Sequence, residues 1–310
     1  MLNRFKIGHV SDASHATGCT VIIPPEKNIT SASAKGAATG TREYALLLPD
    51  KKVQSVQAIL LTGGSAFGLR AADGVMQWLE ENGRGYPTPF ARVPIVPAAV
   101  IYDLNLGTAD TRPGPREGYN AAAQAVFLNR ATGNVGVGTG ATVGKWAGLN
   151  HAMKGGWGLA ETAYNGVQVA CGIAVNAVGD VYDFSNTLLA GAHANGRFLA
   201  DTSADRYKNL DIRFGNTVIG AVMTNARMDK QQAHYLAERA HFGIARRIFP
   251  SHTSYDGDVL FLSSSVDADT SLSIDVLAMM IIETVENAII NALRTARSLH
   301  GIPAVNHPSV

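Results

Sequence analysis

Along the first two thirds of the chain, apolar residues gather into short runs bounded by glycine, proline and small polar residues, the pattern of strands and tight turns. Cys19-Thr-Val-Ile-Ile-Pro24 predicts a first strand, and the glycine-rich Lys35 to Thr41 a turn. Ala58 to Leu61 predicts a second strand that runs into Thr62-Gly-Gly-Ser-Ala-Phe-Gly68. A helix follows from Phe67 to Asn82, with Leu69, Ala72, Val75 and Leu79 on one face. Ala98 to Tyr102 reads as a short strand, Gly118 to Asn129 as a helix, and the block from Gly133 to Lys145 as a loop or a backbone-dense turn. Gly158 to Ala163, Val167 to Val175 and Val181 to Tyr182 read as strands.

The texture then changes. Thr187 to Asn209 starts rich in leucine, alanine and glycine and ends in the polar run Ala200 to Asn209, a stretch where a chain can be cut without loss of its fold. Behind it, Thr217-Val-Ile-Gly-Ala-Val-Met-Thr224 has the apolar character of a buried strand. Asp229 to Ile248 predicts a helix with an aspartate at its start, Val259 to Ser264 a strand, and Leu272 to Leu299 a long helix in which Leu277, Ile281, Val285 and Ile289 recur every fourth residue. Strands flanked by helices, with a buried strand behind a cuttable segment, predict a layered α/β fold.

Composition narrows the function classes. The 310 residues are 46% hydrophobic and 16% charged, enough apolar material for a substantial core; we expect a single domain. A net charge of +1 argues against nucleic acid as the main partner. The first ten residues carry charges and no apolar h-region, and the longest apolar run, Val276 to Ile282, is too short to span a membrane, so a soluble cytoplasmic protein is expected. Cys19 and Cys171 form neither a C-x-x-C pair nor a ligand spacing and read as buried small hydrophobes. The nine histidines show no H-E-x-x-H or comparable spacing, so no metal is expected; His9, His15 and His252 read as packed or surface residues.

Two glycine-rich motifs invite readings that fail on inspection. Before Gly144-Lys145, the first glycine of a P-loop is replaced by Thr139, and Trp146 follows where serine or threonine is required. Gly136, Gly138 and Ala141 match the dinucleotide fingerprint but lack its strand–helix setting. No cofactor is therefore expected. Gly63-Gly-Ser-Ala-Phe67 resembles a nucleophile elbow with Phe67 in place of the last glycine, which makes Ser65 an alternative nucleophile.

The stronger candidate is Gly215-Asn216-Thr217, where a polar stretch precedes and a buried strand follows. Ser254-Tyr-Asp256-Gly-Asp258 brings two carboxylates to the mouth of another strand. With these blocks the sequence resembles the P1-type peptidases, which include L-aminopeptidase/D-esterase and the nylon-oligomer hydrolases. The resemblance covers nearly the whole chain: Asp12 with Thr17-Gly-Cys-Thr-Val-Ile22, Gly40-Thr-Arg-Glu43, Leu61 to Leu69, Ala99-Val-Ile-Tyr-Asp103, Gly138 to Lys145, Val175-Asn176, Asn216-Thr217, Thr224-Asn-Ala-Arg227 and Asp256-Gly-Asp258.

The resemblance implies a four-layer αββα sandwich similar to N-terminal-nucleophile hydrolases, with different connectivity. It also implies self-cleavage at Asn216–Thr217 into 1–216 and 217–310, fragments that stay associated, and a homotetramer or larger assembly. Thr217 would be the nucleophile. Its freed amine, with an ordinary pKa of about 7.7–8.0, would serve as general base for its own hydroxyl. Asn176 and Tyr102 would stabilise the oxyanion or position substrate, and Lys145 would sit beside the nucleophile. Asp256 and Asp258, two apart and on one face of a strand, would hold the ammonium and orient the hydroxyl. The implied substrates are small peptides, amino-acid amides or ω-amino-acid oligomers. The alternatives are a serine hydrolase using Ser65 and a non-catalytic binding protein on the same fold.

Overall fold

A computed structural model describes residues 2–199 and 215–306; the polar run Ala200 to Asn209 lies outside them. In chain order the principal strands are Lys6–Asp12 (β1), Thr17–Ile23 (β2), Ile29–Ala34 (β3), Ile59–Thr62 (β4), Ala98–Val100 (β5), Gly156–Tyr164 (β6), Val167–Asn176 (β7), Thr217–Thr224 (β8) and Val259–Ser264 (β9). The principal helices are Ala71–Glu81 (α1), Pro115–Ala123 (α2), Lys230–Arg247 (α3) and Ile274–Thr295 (α4). One sheet has the order β5-β4-β2-β1, extended by Thr41–Arg42 beside β5 and Val126–Phe127 beside β1. The other runs β6-β7-β8-β9-β3.

Side-chain alternation sorts the strands into layers. On β2, Cys19, Val21 and Ile23 pack with Val75 and Leu79 of α1 and Ala121 and Ala122 of α2, whereas Ile22 belongs to the core between the sheets. On β8, Val218 and Val222 lie in the core that includes α3 and α4, while Ile219, Ala221 and Met223 join Ile7, Ile59 and Leu61 of the opposite sheet. β9 divides likewise, Leu260 and Leu262 to the helices and Val259 and Phe261 to the inter-sheet core. Helices, sheet, sheet, helices: the four-layer αββα sandwich follows from the pattern of each strand.

β1 and β3 are not visible as apolar runs. β3 reads Ile-Thr-Ser-Ala-Ser-Ala, yet Thr30, Ser31 and Ser33 are buried. Hydrogen bonds of the Thr30 hydroxyl to Asn28 and Ser263, and of Ser31 to the Leu47 carbonyl, at 2.7–2.8 Å, make that burial tolerable. α2 begins and ends earlier than Gly118 to Asn129. Pro115 opens it and the Glu117 carboxylate accepts the Gly114 N–H at 2.9 Å, after which the chain leaves to pair Val126–Phe127 with β1. A 3-10 turn over Ser65–Arg70 precedes α1. Asp229 and Gln232 cap the start of α3 reciprocally, at 2.8 and 3.0 Å.

α4 is long and apolar enough by length and composition to cross a bilayer, with mean hydropathy 1.6. Its Leu277, Ile281, Val285 and Ile289 are instead buried against α3 and the β6–β7 side of the sheet, and that burial accounts for the composition. Both cysteines are buried free thiols, pushed up to about 12 by desolvation. Truncation of the fully buried Ile281 to alanine leaves a cavity in this layer and is expected to lower the unfolding free energy by about 2–5 kcal/mol, measured by urea titration.

Candidate active site

Thr217 is the first residue of β8, and across the antiparallel ladder it faces Asn176, the last residue of β7. On the other side β8 pairs in parallel with β9 from Ile219 and Val259 onward, and Asn216 forms a parallel bridge to Asp256. The Thr217 hydroxyl donates to the Asn216 carbonyl oxygen. The same oxygen accepts the Gly257 N–H at 3.0 Å. This approach requires glycine: a Cβ on Gly257 would stand 2.7 Å from the Ala38 carbonyl and 3.1 Å from Thr217 Oγ1. The Asn216–Thr217 peptide thus has a hydroxyl and a backbone donor converging on its carbonyl group.

The two carboxylates take different stations. β9 begins at Val259, so Asp256 and Asp258 precede the strand and do not share a strand face as their spacing suggested. Asp256 accepts the Thr253 N–H at 2.7 Å, whereas Asp258 accepts the Val218 N–H at 2.6 Å with one oxygen and faces His252 Nδ1 at 2.7 Å with the other. Burial, reinforced by the neighbouring charge of Asp258, raises the Asp256 pKa. His252, isolated in sequence, is part of this cluster; its only sequence signal is its position six residues before Asp258.

Lys145 is fully buried. Its Nζ donates to the Asn176 side-chain oxygen at 2.8 Å and to the Asn176 carbonyl at 3.0 Å. Desolvation brings its pKa down to about 7, against the opposing pull of Asp256, Asp103 and Asp258. The turn that carries it is anchored from below: Gly144 N–H bonds the Gly179 carbonyl, and Trp146 Nε1 donates to buried Asp180 at 2.7 Å. Asn176 also accepts the Thr142 N–H at 3.0 Å and donates to the Tyr102 carbonyl at 3.1 Å. The Tyr102 ring lies against Gly215, where a Cβ would come within 2.6 Å. Lys145, Asn176, Tyr102, Asn216, Thr217, Asp256 and Asp258 therefore gather at one end of the β7-β8-β9 sheet.

A sequence profile of peptidase family S58 matches residues 4–306. The chain belongs to this family. A Mycobacterium tuberculosis protein named as an uncharacterized aminopeptidase is 42% identical over 260 residues, 80% of this chain and 73% of that one. The 6-aminohexanoate-oligomer endohydrolase of Kocuria sp. is 31% identical over 82% of this chain and 70% of its own. Among solved structures, the L-aminopeptidase D-Ala-esterase/amidase of Ochrobactrum anthropi, described as a variant of the Ntn hydrolase fold, superposes with a TM-score of 0.72 at 16% identity, covering 96% of this chain and 85% of that one. The S58 chain is thus a hydrolase of amide or peptide bonds on an Ntn-hydrolase-type fold, which sets aside the non-catalytic alternative.

Other S58-chain features seen in the sequence lie apart from this cluster. Ser65 sits in a left-handed turn at φ 52° with its N–H on the Ile101 carbonyl, and among the described residues no histidine or carboxylate hydrogen-bonds its hydroxyl. Phe67, in the place of the elbow's last glycine, is exposed under the Arg112 guanidinium at 3.8 Å. The block Gly136–Gly140 is a buried 3-10 turn, and the carbonyls of Gly138 within it and of Ala141 just after it accept from Lys154 Nζ at 3.0 and 2.7 Å, so the backbone there is turned to an internal cation. Among the described residues no three His, Cys, Asp or Glu side chains converge as metal ligands.

Lys154 is fully buried, as Lys145 is, and nothing in its sequence neighbourhood signals it. Desolvation lowers it to about 7, with Asp103 opposing. Asp103 is itself raised by burial while accepting the Thr17 hydroxyl and Gly64 N–H, both at 2.7 Å. Because the folded Lys154 pKa lies below the unfolded 10.5, the unfolded chain binds more protons between pH 7 and 10.5, and stability rises with pH there. Lys154→Met removes this contribution. The stability of wild type relative to Lys154→Met, from urea unfolding at pH 7, 8 and 9, is expected to rise by about 1 kcal/mol per pH unit.

Proposed function

We propose that this chain is a self-processing aminopeptidase-type amidohydrolase in which Thr217, released by cleavage of Asn216–Thr217, is the N-terminal nucleophile. The observation that carries the reading is the convergence of the Thr217 hydroxyl and the Gly257 N–H on the Asn216 carbonyl. Attack of Oγ1 on the Asn216 carbonyl carbon closes a five-membered ring. The C–N bond then breaks with a proton moving to the Thr217 nitrogen, which leaves an ester. Water hydrolyses that ester to an Asn216 carboxylate and the Thr217 hydroxyl, leaving Thr217 with a free amine. Gly257 supplies a fixed donor to the developing oxyanion, a contribution of about 2.7–4 kcal/mol in comparable sites.

In the uncut chain the Thr217 amine is an amide and cannot act as a base. Lys145, held opposite Thr217 through Asn176 and poised near neutrality, takes the hydroxyl proton in this step. After the cut the new amine serves as general base for substrate hydrolysis. Asp256 holds the ammonium, while the second amide hydrogen of Asn176 and the Tyr102 side chain face the substrate. The fragments remain associated because β8 and β9 belong to one and the flanking β7 and β3 to the other; the processed pair assembles into a homotetramer or larger. The names of the relatives support small peptides and ω-amino-acid oligomers as substrates, and amino-acid amides are the third class proposed.

On a denaturing gel the 32.7 kDa chain should give way to bands of about 23 and 10 kDa, the smaller beginning Thr-Val-Ile-Gly. Thr217→Ala is expected to abolish both the cut and amide hydrolysis, and Thr217→Ser to retain both. Survival of either in the alanine variant rejects Thr217 as the nucleophile for that step. The rate of the cut should rise as pH increases through about 7, following the neutral form of Lys145, and Lys145→Met should lose both the rate and its pH dependence.

A further inference from the structure

The parallel β8–β9 ladder starts at Ile219 and Val259, so the residues around Thr217 lie beyond its first rung. Two hydrogen bonds extend it. The Gly257 N–H reaches the Asn216 carbonyl at 3.0 Å, and one oxygen of Asp258 takes the Val218 N–H at 2.6 Å. They bracket Thr217. The second is made by a side chain and depends on where that carboxylate points. The other Asp258 oxygen meets His252 Nδ1 at 2.7 Å, and the Asp258 side chain is only 2% exposed. His252 is held in the left-handed region at φ 56°, uncommon for a residue with a side chain. Its ring meets His241 edge-on, with centroids 5.0 Å apart.

We propose that His252 is a positioning residue for hydrolysis: by binding one oxygen of Asp258 it keeps the other on the Val218 N–H and so fixes the backbone that carries Thr217. The inference rests on the reading of Thr217 as nucleophile. The electrostatics agree with the geometry. Burial pushes His241, whose Nε2 bonds the Ser33 carbonyl at 3.0 Å, down to about 4. Burial acts the same way on His252, yet the hydrogen bond and charge of Asp258 outweigh it and raise its pKa. Two histidines in contact thus shift in opposite directions, His241 down through its burial and His252 up through its hydrogen bond to Asp258 and the charge of Asp258. The other groups facing His252 are Asp256 and, around an adjoining cleft of about 210 Å³, Lys35, Glu238 and Arg239; Lys35 and Glu238 are paired with each other at 2.9 Å.

His252→Leu removes the donor, and His252→Asn restores an N–H near the place of Nδ1. The leucine variant is expected to lose about 10²-fold in kcat with little change in KM, the scale of a misplaced reacting group, and to slow self-cleavage. The asparagine variant should recover at least about tenfold of that loss. Equal rates for leucine and wild type, or equal losses for folded leucine and asparagine variants, overturn the proposal. A second measurement is independent of turnover. In the Thr217→Ala chain, NMR of labelled histidine should show His252 titrating above 6.5, and Asp258→Asn should bring that titration down. If Asp258→Asn leaves it unmoved, the coupling is rejected even where the leucine variant fails to fold. Hydrolysis that survives Thr217→Ala would reject the nucleophile alone and leave the titration result standing.

Discussion

The parallel pairing of β8 with β9 determines which residues can meet at the site. Parallel strands start at the same edge of a sheet, so the segments just before them are brought side by side. With Ile219 opposite Val259, Asn216–Thr217 must lie against Asp256-Gly257-Asp258, although Val218 and Asp258 are forty positions apart in sequence. The connection that makes the pairing parallel runs through α3, which packs back on the sheet. β7 runs the other way and delivers its last residue, Asn176, to the same edge. Asn176 in turn is the acceptor for Lys145. One register choice thus assembles an amide, an ammonium and two carboxylates about a single peptide bond.

Most of that assembly is buried, and burial sets its electrostatics. Lys145 and Lys154 are both fully buried and both brought down to about 7, while burial raises Asp103 and Asp256. Each ammonium is ringed by backbone carbonyls or the Asn176 amide rather than by a close carboxylate. Carbonyl dipoles satisfy the N–H donors without restoring the full stabilisation that water gives a charge. Burial thus brings both amines down toward neutrality, and on the proposed reading Lys145 uses that shift in the self-cleavage step.

Much of this was legible in the sequence. β8 and β9 are legible to their limits because both are continuous apolar runs, and α3 because Asp229 marks its start. Thr217, Lys145, Asn176, Tyr102, Asp256 and Asp258 are signalled by motif resemblance alone, since no periodicity connects residues so far apart. What escaped was whatever broke the expected signal. β3 is a buried strand written in serine, threonine and alanine, and its hydroxyls are satisfied only by tertiary partners such as Ser263. Lys154 carries no spacing signature, and His252 only its place six residues before Asp258. Their importance lies in burial and partners, which appear only when the sheets close.

The choice of residue at the head of β8 fits its proposed double duty. Threonine is β-branched and suits the first position of a strand, and its restricted χ1 holds the hydroxyl by the preceding carbonyl rather than free to rotate away. On the proposed reading the Gly257 N–H is also used twice. In the uncut chain it is occupied by the Asn216 carbonyl. Once the Asn216 carboxylate departs, the same donor stands beside Thr217 Oγ1 where the carbonyl oxygen of an incoming amide would lie. A side chain at 257 would close that space against Ala38 and Thr217. On that reading the glycine between the two aspartates is as much a part of the machinery as either carboxylate, because it would put a rigid donor within reach of both the chain's own peptide bond and the substrate's.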